Sequence, residues 1–485
     1  MDGFNGASRY AGLGKSKVVI ETTNDDPSSS PIMGSLKSRV FRAGSWTLIG
    51  NVAKLAIQVL SSLITTRIFE PQVFGLAATS MALYVMICFL SDIGLGQAVF
   101  RSPNGENRSF LNTVWTLRQL QGWFVWTLCA GFAAILYLAN SWGWLPRNSV
   151  YASPILPAVI VVTAFSVVIL SLQSMKAWVL NRTLNLRRIT FIELIAQLVS
   201  VVFIISVGWM THSIWAFIAG GLVASVVKTL LSHIWLRGPT DRLGWDHDAL
   251  RELIHFGKWI LLSSSVTGLT INGDRLLLAG LVNPSALGYY SIASNIAATV
   301  EGFANPLISN VMMPALSEGA RKNPDRFSNT VFRIRWILDS AMIGAAGFLF
   351  ATGTWVIHLL YDARYSQAGW MLQLLSFIPI LSRYNLAQSA YLALGRPNYL
   401  VAINLVTLVS LFSIVPLLFY TFGISGAILG IAFHKAPSVF LIVWLNRKHQ
   451  LNNLLLEVAV LGAWPIGWLA GLALVAAFSH SWFAA

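Results

Sequence analysis

Three basic side chains lie in the middle of long apolar stretches of the sequence: Lys54, Arg383 and Lys435. A charge at bilayer depth is costly, and it usually faces either a water-filled cavity or a partner of opposite sign. A cavity lined by cations suits a phosphorylated or otherwise anionic ligand, because ammonium and guanidinium groups bind phosphate oxygens strongly. We therefore predict that these three cations line a polar cavity.

Other polar residues recur at helical spacing around the cations. Asn51, Lys54 and Gln58 are three and four residues apart, so they share one face of a helix. Asn and Gln residues of this kind often only join helices by hydrogen bonds, and the cations carry the prediction. The further candidates for cavity or coupling residues are Asn51, Gln58, Asp274, Arg275, Glu301, Asp339 and Gln388.

The carboxylates of the apolar stretches lie mostly at less depth than the cations. Asp92, Glu193 and Glu301 are near predicted inner helix ends, where their side chains can reach water, and Asp339 is deeper. A purely structural role for the three cations would need carboxylate partners at equal depth. The deep charge is therefore predicted to be positive overall.

These residues belong to predicted membrane-spanning helices. A bilayer core requires about 20 apolar residues per helix, and the sequence contains thirteen stretches of that length. The predicted spans are 44–67, 73–95, 113–139, 150–175, 190–209, 213–235, 257–281, 285–308, 331–360, 368–394, 398–421, 423–445 and 456–480.

The polar segments between the spans alternate between cationic and nearly uncharged. The N-terminal tail and the segments after the even-numbered spans hold most of the Lys and Arg, whereas the others hold only Arg67, Arg147 and Arg364. Cytoplasmic loops retain Lys and Arg because cationic loops resist translocation. The pattern predicts a cytoplasmic N-terminus. Pro465 allows the thirteenth stretch to be an interfacial helix instead of a span.

The composition excludes a soluble protein and several kinds of partner. The chain has 485 residues, of which 55% are hydrophobic and 11% charged, whereas soluble proteins carry about 25% charged residues. The net charge of +14 lies largely in the predicted inner loops, where topology and anionic lipid headgroups account for it, so no nucleic-acid partner is expected. Two cysteines provide neither a disulfide framework nor a metal site, and no cofactor is expected.

The sequence partly matches itself after a shift of 213 residues, which places Pro71 and Gly75 over Pro284 and Gly288. Each match links the first two helices of a six-helix block. Six spans return the chain to the same side, so the sequence predicts two six-helix bundles related by a pseudo-two-fold axis along the membrane normal. The predicted all-α organisation is a disordered cytoplasmic tail 1–43, lobes 44–235 and 257–445, a cytoplasmic linker 236–256 and an extra C-terminal helix 456–480.

The loops are too short for an enzyme domain. The longest inner segments, 236–256 and 309–330, have about 20 residues, and a folded domain needs at least about 50. Asp246 and Asp248 form an acidic triplet with a histidine, which we interpret as a solvated face. No GxxxxGKS/T phosphate loop is present. A membrane polymerase or ligase is therefore disfavoured, and a non-catalytic scaffold would not require buried charge.

Two segments of the chain match the sequence pattern of one known protein family. Within residues 65–101 the matching positions are Thr66, Arg67, Pro71, Phe74, Gly75, Asp92, Gly94, Gly96 and Ala98, and in the second half they are Asp274, Arg275, Leu276, Ala286, Leu287, Gly288, Tyr290, Pro314, Ala315 and Leu316. The chain resembles the polysaccharide transporters of the multidrug/oligosaccharidyl-lipid/polysaccharide exporter superfamily over most of residues 38–450.

The resemblance implies a bacterial inner-membrane flippase for undecaprenyl-pyrophosphate-linked oligosaccharide repeat units, which works by alternating access. Such a protein supplies repeat units for exopolysaccharide, capsule or O-antigen assembly. Its expected partners are membrane lipids and a polymerase/co-polymerase complex. Lys54, Arg383 and Lys435 would hold the pyrophosphate or acidic sugars; depth alone, and no family motif, selects them. The thirteenth stretch departs from the twelve-helix pattern. The main alternative is an ion-coupled drug or metabolite antiporter of the same superfamily, which would favour an acidic cavity.

Overall fold

The computed structural model describes residues 31–183, 186–238, 240–308, 312, 324–394, 396, 398–449, 451 and 454–482. Residues 43–485 form one compact unit and residues 1–42 a separate one. Most of the predicted disordered tail, residues 1–30, lies outside the described residues, and a helix already begins at Pro31. The regular secondary structure of the described residues is helical throughout, as predicted.

The helices follow one another with short connections. Their bounds are α1 Pro31–Ile68, α2 Pro71–Leu90, α3 Leu95–Arg101, α4 Arg108–Ser141, α5 Leu156–Ser171, α6 Lys176–Arg182, α7 Arg187–Thr211, α8 Ile214–Ile234, α9 His247–Leu281, α10 Pro284–Leu307, α11 Pro324–Leu360, α12 Ala368–Leu375, α13 Ile378–Ser382, α14 Asn385–Ala393, α15 Asn398–Phe433, α16 Ala436–Lys448, α17 Leu454–Ala459 and α18 Ala463–Trp482. Short 3₁₀ turns lie at Val150–Ala152, Ala363–Tyr365 and Val460–Gly462.

Eight helices among the described residues are long and apolar enough to cross a membrane, or nine if the bent pair α5–α6 counts as one span. One of the eight is the 51-residue segment Asn398–Lys448, which covers two predicted spans. Helices α9 and α10 match the predicted spans 257–281 and 285–308 but fall short of this test, α10 being rich in Ser, Ala and Asn. The multi-span architecture is thus confirmed, and the two-bundle symmetry stays a prediction.

Several predicted spans are broken. Helices α5 and α6 meet at 70°, and predicted span 368–394 consists of the three short helices α12, α13 and α14. Gly423 interrupts α15 with φ 65° and ψ −147°, a backbone conformation that favours glycine, and this interruption lies at the predicted boundary between spans 398–421 and 423–445. A second interruption at His434 and Lys435 separates α15 from α16.

The two segments that match in the internal repeat, Pro71 to Gly75 and Pro284 to Gly288, pack against each other. Pro71 and Pro284 each occupy the first turn of a helix, where the missing amide hydrogen costs nothing. Gly75 in α2 lies directly against the backbone of Pro284, and Gly288 in α10 lies against the backbone of Pro71, so a Cβ at either glycine would clash. Because of this reciprocal contact, the backbones of α2 and α10 lie directly against each other.

A tight turn follows α2. The Asp92 carboxylate accepts hydrogen bonds from the Gly94 amide at 2.8 Å and from the Ser264 hydroxyl of α9 at 3.0 Å. Gly94 has φ 69°, and its missing side chain makes room for Ile260. Asp92 therefore shapes the turn and joins it to α9.

The linker before α9 is shorter than predicted, because α9 begins at His247. Asp246 caps this helix by accepting hydrogen bonds from the amides of Asp248 and Ala249. A hydrogen bond from Ser109, together with these two amides, lowers the pKa of Asp246. The acidic triplet is thus a solvated helix start that attaches the linker to α4.

The last helix packs closely along α11. Gly347 of α11 lies against the backbone of Trp464, and Gly467 of α18 lies against the backbone of Gly344. Small residues at helix contacts allow this approach in membrane proteins. The apolar core itself is built mainly from α2, α4, α5, α10 and α12.

We expect Gly75→Ala to lower stability, because the added methyl group overlaps the Pro284 backbone and overpacking costs about 1–3 kcal/mol. Gly131→Ala is the matched control, since Gly131 lies in α4 with open space around it. Thermal unfolding of the purified protein in detergent should show a lower Tm for Gly75→Ala only. Equal Tm values for both variants would contradict the close contact.

Candidate functional site

Lys54 of α1 takes part in a charged triad. Its ammonium group forms an ion pair with Glu193 of α7, and Lys228 of α8 lies 3.5 Å from the other oxygen of that carboxylate. The side chains of Lys54, Glu193 and Lys228 are 33%, 28% and 32% exposed, respectively. Gln197 also donates to the Lys54 carbonyl at 3.1 Å, which fixes α7 against α1. Two ammonium groups face one carboxylate, so the charged triad has one net positive charge.

Lys54 is the member of the triad that lines a cavity of about 240 Å³ between α1 and α10. Asn51, Lys54 and Gln58 form the polar part of its α1 wall, at the helical spacing noted in the sequence. Gly302 and Phe303 provide the α10 wall. The cavity therefore combines a partly exposed cation with amide groups and apolar surface.

Arg383 lies in a different, buried cluster. Its Nη2 is 2.8 Å from one oxygen of Glu457, and Arg335 donates to the other oxygen at 2.6 Å. Arg335 also donates to Asp339 at 3.0 Å, and the Tyr384 hydroxyl donates to Glu457 at 2.9 Å. The side chains of Arg335, Asp339 and Arg383 are only 1%, 0% and 6% exposed.

The prediction that Arg383 and Asp339 line a cavity is wrong. Two guanidinium groups and two carboxylates balance each other within this cluster, and burial separates it from solvent. The sequence analysis also expected these cations to lack carboxylate partners at equal depth, whereas Lys54, Arg383 and Lys435 each have one.

Lys435 lies where two helix breaks meet. It occupies the interruption between α15 and α16, and its ammonium group donates to the Ser382 hydroxyl at 2.8 Å, beside the break between α13 and α14. Glu301 of α10 is 3.6 Å from the same ammonium group. The pair is balanced in charge and about one quarter exposed, at 27% and 22%.

The remaining candidates are placed apart from the α1–α10 cavity. Asp274 accepts a hydrogen bond from the Tyr290 hydroxyl, and Arg275 donates to the Asn295 side chain at 3.3 Å. Gln388 is half-buried in α14. Within the described residues, no group of three His, Cys, Asp or Glu side chains is arranged to hold a metal ion.

The sequence analysis missed two carboxylate partners of the cations and one further arginine of the buried cluster. Glu457 lies just before α18, and its role depends on a fold in which the last helix returns to α11. Glu193 was placed near an inner helix end rather than opposite Lys54. Arg335 lies in the predicted span 331–360, and its spacing of four residues from Asp339 already indicates a pair on one helix face.

The chain and its fold have counterparts among known proteins. The family described as "Polysaccharide biosynthesis protein" matches residues 64–370. The chain belongs to this family. It is 21% identical over 433 residues to an uncharacterized membrane protein in the cps region of Klebsiella pneumoniae, covering 87% of this chain and 85% of that protein. It is 22% identical over 348 residues to the lipopolysaccharide biosynthesis protein WzxC of Escherichia coli, covering 72% and 68%.

Solved structures share the fold of this family member. The lipid II flippase MurJ in an inward closed conformation matches with a TM-score of 0.68 and 12% identity, covering 92% of this chain and 99% of that one. An inward-facing MATE multidrug transporter of the MOP superfamily matches with a TM-score of 0.63 and 13% identity, covering 82% and 98%. The chain therefore belongs to the polysaccharide biosynthesis protein family and has the fold of these transporters.

We expect Glu457→Gln to destabilise the protein strongly. The variant leaves Arg335 and Arg383 with only Asp339, and removing one partner of a buried ion pair typically costs about 3–5 kcal/mol. Glu106→Gln is the control, because the Glu106–Arg182 pair is largely exposed and 3.6 Å long. Thermal unfolding in detergent measures both variants. An unchanged Tm for Glu457→Gln would show that the cluster does not hold α18 in place.

Proposed function

We propose that this protein moves lipid-linked oligosaccharide repeat units, carried on undecaprenyl pyrophosphate, from the cytoplasmic to the periplasmic leaflet of the bacterial inner membrane. The product would supply exopolysaccharide, capsule or O-antigen assembly. The family match and the named functions of WzxC and MurJ support a substrate of this class. A sugar–pyrophosphate headgroup cannot cross hydrocarbon unaided, because desolvating its charges is too costly.

The net positive charge of the Lys54 triad is the observation that carries the proposal. Lys54 and Lys228 share the single carboxylate of Glu193, so one ammonium charge remains for an anion. Arg335, Arg383 and Lys435, by contrast, are balanced by Glu301, Asp339 and Glu457. We therefore assign phosphate binding to Lys54, with Lys228 in support, and no longer to Arg383 or Lys435.

The walls of the cavity suit an amphiphilic substrate. Asn51 and Gln58 offer amide donors and acceptors for sugar hydroxyls, beside Lys54 for phosphate. Val52 and Phe303 give apolar surface at the same cavity. The headgroup would bind on the polar side while the lipid tail stays in the bilayer.

Alternating access would require the two halves to separate at their predicted outer ends, where they now meet. Arg364 donates to the carbonyls of Thr66 and Arg67 at 3.4 and 3.1 Å, and the Tyr365 hydroxyl donates to the Phe69 carbonyl at 2.8 Å. These are hydrogen bonds to single backbone oxygens, which can break and reform during a transport cycle. Rocking of one half against the other would then expose the cavity to each side in turn.

The charge of the cavity also weighs against the drug-antiporter alternative. An exporter of organic cations needs an anionic cavity, whereas the cavity between α1 and α10 is lined by Lys54, which belongs to a triad with one net positive charge. The MATE transporters share the fold at 13% identity, which leaves the substrate of this chain to its own residues.

We expect Lys54→Gln and Lys228→Gln each to lower polymer export by about tenfold, since loss of one charge-assisted phosphate contact is worth about 1.4 kcal/mol or more. The variants are expressed in a host that lacks its own copy of the gene. Exported polymer and lipid-linked sugar are then measured, with membrane abundance of each variant determined by immunoblot. The lipid-linked sugar should accumulate on the inner leaflet.

Lys448→Gln, at an exposed position near the end of α16, is the matched control and should export normally. Normal export by both Lys54→Gln and Lys228→Gln would refute the site. If deletion of the gene caused no lipid-linked sugar to accumulate, the proposed substrate class would be wrong, whatever the variants showed.

A further inference from the structure

A second cavity, of about 280 Å³, lies between α2, α4 and α5 and shares no lining residue with the α1–α10 cavity. Most of its surface is apolar, with Val85, Val125 and Leu170 among the lining side chains. Arg118 of α4 is its one basic lining residue, and Cys88 of α2 supplies a thiol. A mainly apolar chamber with a single cation matches the chemistry of a lipid that carries a phosphate.

The Arg118 guanidinium has neutral contacts. It donates to the backbone and side-chain oxygens of Gln173 at 3.3 and 3.2 Å, and its carbon lies 4.9 Å from the ring centroid of Trp178. Among the described residues, no carboxylate forms an ion pair with it within 4.0 Å. Asp241 attracts the guanidinium electrostatically from beyond 4.0 Å. One Asp241 oxygen accepts a hydrogen bond from the Met175 amide.

Asp92 is the one acidic residue that lines this cavity, and its two oxygens already have donors. One accepts the Gly94 amide and the other the Ser264 hydroxyl. Two of the five guanidinium N–H donors of Arg118 point to Gln173. The remaining N–H donors of Arg118 are therefore available to an anion.

The depth of Arg118 matches the headgroup boundary of the cytoplasmic leaflet. The predicted third span begins at residue 113, so Arg118 lies about 7 Å further along α4 at 1.5 Å per residue. Amphipathic groups at this boundary lie about 5–10 Å deep, where a cation reaches lipid phosphates.

We propose that the cavity between α2, α4 and α5 binds one resident anionic phospholipid of the cytoplasmic leaflet. Its phosphate pairs with Arg118, and part of an acyl chain lies along Val85, Val125 and Leu170. Arg118 also holds Gln173 in the bend between α5 and α6, so the bound lipid stabilises that bend. The lipid stays in place and is separate from the transported substrate, whose cavity lies between α1 and α10.

Cys88 provides an internal probe of occupancy. The chain has two cysteines, and Cys129 is buried, so Cys129→Ser leaves Cys88 as the single thiol. This full-length variant is purified, delipidated and placed in nanodiscs of phosphatidylcholine alone or with phosphatidylglycerol. The rate of N-ethylmaleimide addition is followed by mass spectrometry. We expect phosphatidylglycerol to slow the reaction about tenfold, as one charge-assisted phosphate contact would.

Arg118→Gln in the same background should lose the protection by phosphatidylglycerol, and Arg118→Lys should keep part of it. Arg447→Gln, at an exposed position in α16, is the control and should react like the parent. If Arg118→Gln does not fold, the comparison of the two lipid compositions in the Cys129→Ser parent still tests the proposal.

Four results would overturn the proposal. Equal rates in the two lipids would show that no anionic lipid binds there. Protection by inorganic phosphate alone would mean a simple anion site, and protection by undecaprenyl phosphate but not phosphatidylglycerol would mean a substrate site. A faster reaction of Arg118→Gln in phosphatidylcholine, with phosphatidylglycerol still protecting, would mean that Arg118 only supports the bend.

Discussion

Compensation of charge inside an apolar helix bundle is the constraint on which the rest of this structure depends. A charged side chain at the centre of a membrane helix costs about 2.5–3.5 kcal/mol even by the lower scales, so it needs a partner or water. Lys435 with Glu301, and Arg335 and Arg383 with Asp339 and Glu457, satisfy this requirement pairwise. The triad around Glu193 does not, and this difference separates structural charge from charge available to a ligand.

The same constraint explains why the last helix belongs to the bundle. Glu457 supplies one carboxylate to two arginines that Asp339 alone would leave with an excess positive charge. The closely packed glycines of α11 and α18 then fix the distance at which Glu457 reaches them. A helix beyond the twelve-helix pattern is therefore tied to the fold by both electrostatics and packing.

The sequence predicted what depends on local pattern and left open what depends on distant neighbours. Span 331–360 follows from apolar length, and the structure has a helix there. The sequence analysis used Pro71 and Pro284 only as matched positions of the repeat, and the structure places each at a helix start. Periodicity placed Lys54 on a polar face but gave no information about the opposite helix, since Glu193 is 139 residues away. The break at Lys435 has one local signal, Pro437, which lies in the first turn of α16.

The position of the uncompensated charge bears on how transport is coupled to movement. The triad joins α1, α7 and α8 of the first half, whereas Gly302 and Phe303 of α10 in the second half form the facing wall of the cavity. A ligand shifts a conformational equilibrium only by the difference in its affinity for the two states. An anion held by Lys54 contacts α10 only while the two halves are close there, so its binding energy depends on their relative position. A cation on a wall formed by one half alone would lack that dependence. In the proposed alternating-access cycle, the α1–α10 cavity would therefore be the place where substrate binding drives the rocking of the two halves.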